Sequence, residues 1–371
     1  MARVLHVASG GGGDVLASVG IRAALGDSND PGLIATYAWD RLLADPLPGP
    51  RGYNDFSRLG VIGGRPRLVT SETRPVPPAG STLPRLAGEL AHLLVLLDPH
   101  QGEVGLGEQL RALIDAEGVD LVRIIDVGGD ILARGDEPSL RSPLADTLTL
   151  AACVGLPVPV DVLVVGLGLD AELEVGYARR RLGGVPVRAG RLTVEHFQAI
   201  RPAFSWHPSE ASAMLAAAVH GARGRVEVRD AGTAVTLDDE TPVIYRVPLA
   251  DLVDISPIAR QMAGTTDLGQ VEQVVRQVCG FCEIDYERKK AATLSDRPRR
   301  ELGLAEFGER LGRFEAEVRG RGADFVSFRR VAEQVGRPAG GYSAMRRHMI
   351  ETWPERHVWP IWSVLPRDDG R

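Results

Sequence analysis

Leu121-Val122-Arg123-Ile124-Ile125-Asp126-Val127-Gly128-Gly129-Asp130-Ile131 is the stretch that decides how this chain folds. Branched apolar residues run with little alternation into an acidic turn that holds two glycines. Such a run suits a central strand of a parallel sheet, covered on both faces. Ligands of open α/β sheets bind just outside the carboxyl ends of those strands. Asp126 and Asp130, with Gly128 and Gly129 between them, can there hold a metal ion, a sugar hydroxyl or a proton in transit. A tight turn with a capping Asp is the plainer reading of the same residues.

Two other stretches repeat the design. Ala2 to Ala8 reads as a strand leaving through Ser9, Gly10, Gly11, Gly12, Gly13 and Asp14, with a helix from Val15 to Leu25. Val160 to Val165 reads as a strand leaving through Gly166, Leu167, Gly168, Leu169 and Asp170. If the three strands are parallel neighbours, their acidic endings share one edge. The glycines let backbone amides approach a ligand, and the helix after them offers a positive dipole end. Asp14 either caps that helix or orients a ligand hydroxyl or metal-bound water. The run departs from G-x-G-x-x-G, so the dinucleotide fingerprint is weak.

The bulk numbers exclude several classes. A chain of 371 residues with 44% hydrophobic and 25% charged content is an ordinary globular protein with a large core. Its net charge of −6 argues against non-specific nucleic-acid binding. No apolar run is long enough to span a bilayer, no signal-peptide pattern opens the chain, and the cytoplasm is the expected location. The three cysteines form no disulfide framework; Cys279 and Cys282 lack the second pair of a zinc site and read as reduced residues at a helix end. Of 43 basic residues only Lys289 and Lys290 are lysines. That excludes a Walker P-loop and a kinase-type strand lysine, and no pyridoxal phosphate is expected. Arginine must do any anion binding.

Along the chain, Leu33 to Tyr37 is a second strand, followed by Trp39 and Arg41 and by the stiff loop Asp45 to Gly52, which can wall off a pocket. Arg41 and Arg51 are candidate anion anchors. Residues 59 to 85 read as an irregular excursion, and Leu83 to Leu97 fits helix or strand equally. Glu108 to Glu117 is an amphipathic helix. The loop after Asp130 carries Arg134, Glu137 and Arg141, and Ser142-Pro143 opens a helix whose first turn holds Asp146. Helices are expected over 174–182, 211–220 and 268–279, a hairpin over 225–237 and a strand over 243–247. His207, beside Trp206, is a candidate catalytic group or a structural polar residue. Residues 286 to 300 read as a linker, and the last 70 as two or three short helices ending in Trp353, Trp359 and Trp362.

Taken together, Gly10 to Val15, the Asp45–Arg51 loop, Asp126 to Ala133, Ser142 to Asp146 and Gly166 to Leu173 resemble an archaeal and actinobacterial family, domain of unknown function 1152. The resemblance covers roughly residues 1–290 and implies a Rossmann-like α/β protein. It brings no activity with it.

The expectation is therefore a Rossmann-like, mostly parallel sheet flanked by helices over 1–285, with a small hairpin region, and a linker and helical extension over 286–371. Asp126, Asp130, Asp14 and His207 are the candidate catalytic groups, and Asp126, Asp130 and Asp170 the candidate ligands of Mg²⁺. Gly10 to Gly13, Trp39, Arg41, Arg51, Gly128, Gly129, Arg134, Glu137, Arg141 and Gly168 are the candidate substrate contacts. Arg134 and Arg141 could balance the acidic charge in place of a metal. An enzyme acting on a phosphorylated or nucleoside-like small molecule fits these residues; a non-catalytic nucleotide or metabolite sensor is the alternative. Neither nucleic acid nor membrane is an expected partner, and the aromatic tail could pack on the main domain or join two copies of the chain.

Overall fold

The structure, a computed structural model, describes residues 2–27, 31–183, 187–229, 232–295 and 301–365. Five strands form the parallel heart of a nine-stranded sheet: β1 (Val4–Ala8), β2 (Gly32–Tyr37), β3 (His92–Leu97), β4 (Leu121–Val127) and β5 (Val160–Val165). Their spatial order is β3-β2-β1-β4-β5, and each neighbouring pair is parallel. The winding reverses between β1 and β4, so a crevice opens there at the carboxyl edge.

The apolar runs are continuous because both faces are covered. Leu5, Val7, Ile124, Val162 and Val164 join one core, while Ala8, Ile125, Leu163 and Val165 join the other. Successive side chains of a strand point to opposite faces, so each half of the run supplies one core. Burying one such Ile or Leu contributes about 2 kcal/mol. Helix α1 (Gly12–Leu25) ends at Gly26, whose φ of 68° is the left-handed conformation of a glycine C-cap. Helix α2 (Pro143–Cys153) starts on proline as expected, but the Ser142 hydroxyl bonds Glu172 and not the helix amides.

Leu83 to Leu97 resolves into both alternatives: a helix over Leu83–Glu89, then β3. The excursion after residue 59 is more regular than expected. Gly60–Ile62 and Arg65–Val69 pair antiparallel and extend the sheet beyond β3. Val243–Pro248 extends the opposite side, antiparallel to β5. The amphipathic helix expected from Glu108 begins earlier, at Gly102, and runs to Glu117.

The hairpin Gly224–Val228 and Thr233–Leu237 lies in a second, five-stranded sheet; its residues 230 and 231 fall outside the described residues. Phe325–Val326, His357–Val358 and Ile361–Ser363 complete that sheet. The last residues are thus not only helical, although helices Leu304–Gly320, Phe328–Gln334 and Gly341–Thr352 are present. Where a linker was expected over 286–300, residues Glu283–Ser295 form a helix; 296–300 lie outside the described residues. Trp362 is fully buried, and Trp359 packs edge-on against Phe204 and His220, so the aromatic tail covers the main body. Among the described residues no helix is long and apolar enough to cross a membrane.

Candidate functional site

The crevice between β1 and β4 is a cleft of ≈ 140 Å³. That is close to a cavity of about 150 Å³ known to hold one benzene ring. Strand ends supply its floor. The Ser9 amide donates to the Ile125 carbonyl at 3.1 Å and the Ser9 hydroxyl to Asp146 Oδ1 at 2.5 Å, tying the ends of β1 and β4 to α2.

Asp126, Asp130 and Asp146 meet in this floor. One carboxylate oxygen from each lies within 4.8 Å of the others, and all three residues are buried. Asp126 Oδ2 has no hydrogen-bond partner among the described residues. Three oxygens at that separation, without nitrogen or sulfur, suit a hard divalent cation.

Asp14, Asp126, Asp130 and Asp170 all line the cleft, as their strand-end positions led us to expect. Asp170 has a different job from its neighbours. Its Oδ2 accepts the Asp130 amide at 3.1 Å and its Oδ1 the Glu172 amide at 2.8 Å, so it fastens two loops together. Gly128 must be glycine here: its φ is 134°, and a Cβ would stand 2.3 Å from Asp170 Oδ2. Gly129 has a φ of 103° and Gly168 donates to the Gly128 carbonyl at 2.6 Å; both shape the turns behind the cleft wall.

The glycine run is not one loop. Gly11 is the N-cap of α1, and Gly12 and Gly13 are already helical. Asp14 therefore sits in the first turn and does not cap it; Oδ2 accepts the Gly10 amide at 2.8 Å. Gly10, Gly12 and Gly13 line the cleft, as do Trp39, Arg41 and His207. Trp39 Nε1 donates to Glu287 at 3.0 Å.

Several expected contacts are elsewhere. Arg51 pairs with Asp45 at 3.1 Å and donates to the carbonyls of Pro48 and Gly49, locking its own loop, which does not line the cleft. Arg134 and Arg141 are exposed, and Glu137 binds the Arg134 and Gly135 amides and the Tyr177 hydroxyl. A compensating cation is Arg229, just after the strand Gly224–Val228 of the second sheet, 2.7 Å from the buried Glu172. Glu172 also accepts the amides of Arg141 and Ser142.

Several further lining groups were not read as site residues from the sequence, among them Asp146, Glu172, Arg229 and Glu283. Glu283 accepts the Leu144 amide at 2.6 Å, while its Oε2 has no partner among the described residues. Arg329, from the C-terminal helix Phe328–Gln334, lines the cleft too and pairs with Glu210 at 3.2 Å.

Burial and mutual repulsion set the electrostatics. Burial, then the charges of Asp146 and its neighbours, push Asp126 and Asp130 well above the usual carboxylate range, and burial does the same to Asp14. Burial first and Glu172 among the rest raise Asp146 and Asp170 to about 7, and burial raises Glu283 to about 8. Protons or a cation must neutralise such a cluster.

The family described as "Protein of unknown function (DUF1152)" matches residues 5–291 of the chain. No curated protein and no solved structure matches it.

Proposed function

Since the chain belongs to the DUF1152 family of unknown function, we propose its role from its own cleft: a divalent-cation enzyme that transfers or hydrolyses a group on a phosphorylated or nucleoside-like small molecule. The supporting observation is the buried triad Asp126, Asp130 and Asp146, whose oxygens gather within 4.8 Å of one another. Those three carboxylates would hold the cation, with Mg²⁺ the natural choice for all-oxygen ligation. A cation there supplies Lewis-acid polarisation of a substrate oxygen.

The remaining roles fall to residues of the chain. Asp170 holds the Asp130 turn in register. Glu172 and Arg229 balance each other at the mouth of α2. Glu283, which burial raises to about 8, lines the cleft with an oxygen, Oε2, that has no partner among the described residues, so it is the group proposed to protonate a leaving oxygen.

The test is turnover of a panel of sugar phosphates, nucleotides and nucleosides, followed by ³¹P NMR and chromatography, with Mg²⁺ and with chelator. Cation-dependent turnover that disappears in Asp126→Asn is the expected result. Cation-dependent binding without turnover would instead identify a metabolite sensor.

A further inference from the structure

His207 carries a feature that the cation cluster does not explain. The residue is 4% exposed, and its Nε2 is buried without a partner among the described residues. Its other ring nitrogen, Nδ1, accepts the Ser209 amide at 3.2 Å. A nitrogen that accepts carries no proton, so the neutral ring bears its proton on Nε2. Burial, and then Arg346, which reaches the His207 carbonyl, discourage a second proton. The result is a buried N–H donor, on a residue that lines the cleft, with no partner among the described residues, a costly arrangement that native proteins seldom keep without a use.

What lies beside that donor is the start of α1. A methyl group built on Gly12 would stand 3.7 Å from Nε2, and one on Gly13 would stand 2.7 Å from Ser209 Oγ. The His207–Ser209 segment is thus pressed against the first helical turn, at the place where the turn has no side chains. That helix is 14 residues long, and its N-cap, Gly11, supplies no capping side chain. Asp14, in the same turn, directs Oδ2 to the Gly10 amide. The amides at this helix start lie at the positive end of the dipole, and Asp14 is the acidic side chain of the same turn.

We infer that His207 Nε2–H and the first turn of α1 at Gly12 and Gly13 form a subsite for the phosphoryl group of the substrate, beside the acidic triad. A phosphoryl group has three terminal oxygens, enough for His207, the helix amides and a cation at once; a carboxylate has two. The subsite deepens the enzyme reading above and rests on it for the neighbouring cation, which keeps the phosphoryl group from meeting bare carboxylates. His207 acts as a neutral donor and not as a proton shuttle, the opposite of the role a histidine in such a cleft first suggests.

Inorganic phosphate is the probe, titrated calorimetrically into the full-length protein with and without Mg²⁺. A separate titration with Mn²⁺ alone reads the cation site. His207→Leu removes the donor and should weaken phosphate by roughly tenfold or more while leaving the Mn²⁺ isotherm in place. His207→Gln keeps an N–H at similar reach and should retain most of the affinity. Gly12→Ala puts a methyl group into the subsite on an ordinary helical backbone, and should also lose phosphate if His207→Leu fails to fold. Ring ¹⁵N spectra should report the Nε2–H tautomer and a shift of that nitrogen on phosphate addition. Equal phosphate affinity in the parent, His207→Leu and Gly12→Ala would overturn the subsite, as would Mn²⁺ binding with no phosphate binding, or acetate competing as well as phosphate. Phosphate binding without any Mn²⁺ binding would leave the subsite standing and overturn the cation site.

Discussion

Asp170 Oδ2 accepts the backbone N–H of Asp130 at 3.1 Å, holding the turn after β4 to the turn after β5. Its other oxygen takes the Glu172 amide, so both acceptors of the carboxylate are in use. Asp126, in the same floor, has an oxygen, Oδ2, with no hydrogen-bond partner among the described residues. Two aspartates of one cleft thus differ in kind: half-buried Asp170 fastens loops, and buried Asp126 keeps an oxygen that no donor among the described residues occupies.

Asp170→Asn turns one acceptor into a donor facing an amide N–H. We expect it to cost about 1 kcal/mol of stability, toward the low end for an unsatisfied group at a half-buried site. Urea unfolding of the metal-free protein reads the loss; a stability equal to the parent would show the fastening role to be unimportant.

Arg229→Leu leaves Glu172 buried without its ion pair. Breaking such a pair from one side costs about 3–5 kcal/mol, and the partly exposed position of Arg229 places the expectation at the low end. Adding Glu172→Gln should recover part of the loss, and a double-variant cycle with no coupling would contradict the pairing. This contact joins the second sheet to the cleft, so the variant should also weaken cation binding.

Acidity should govern the response to cation. Asp146 and Asp170 titrate near 7 in the folded protein, against an ordinary value of 3.8. A raised carboxylate adds stability that is fully present below its unfolded value and lost as pH rises through its folded value. Metal-free protein therefore loses this contribution between about pH 4 and 7, where the protons leave. Mg²⁺ must displace those protons at low pH and replaces them above neutrality. The rise in Tm produced by saturating Mg²⁺ should grow from pH 5 to pH 7.5 and then level off, about as the two groups ionise. A rise in Tm that shrinks with pH would contradict the assignment.

Glu283→Gln keeps the size of the side chain and an acceptor for the Leu144 amide. It should fold and bind Mn²⁺ like the parent, yet lose about 10²-fold or more in turnover, the usual contribution of a general acid. Parent-like turnover would remove Glu283 from the chemistry.

The strand ends were legible because β1, β4 and β5 are buried on both faces and announce themselves as apolar runs, and the order of the parallel strands then gathers Asp14, Asp126, Asp130 and Asp170. Asp146 was read as a residue favoured by the α2 dipole, which explains an aspartate in a first turn without any site. Nothing local says that this turn starts opposite Asp126. Arg229 reaches Glu172 across 57 residues and from another sheet, and Glu283 reaches Leu144 across 139. Contacts at such separations depend on tertiary packing and leave no periodic trace. Arg134 and Arg141 misled for the opposite reason: closeness in sequence to Asp130 suggested a contact, but their loop turns them to solvent.

The cation site at Asp126, Asp130 and Asp146 is tested most directly by titrating Mn²⁺ into metal-free parent protein and into Asp126→Asn, with thermal melts of both. Asparagine at 126 keeps the shape and removes one ionisable carboxyl from a mutually repelling group. The parent should bind one Mn²⁺ per chain, and Asp126→Asn should bind roughly tenfold or more weakly while melting no lower than the metal-free parent. A parent that binds no divalent cation, or an Asp126→Asn protein that binds it equally well and melts lower, would contradict the site.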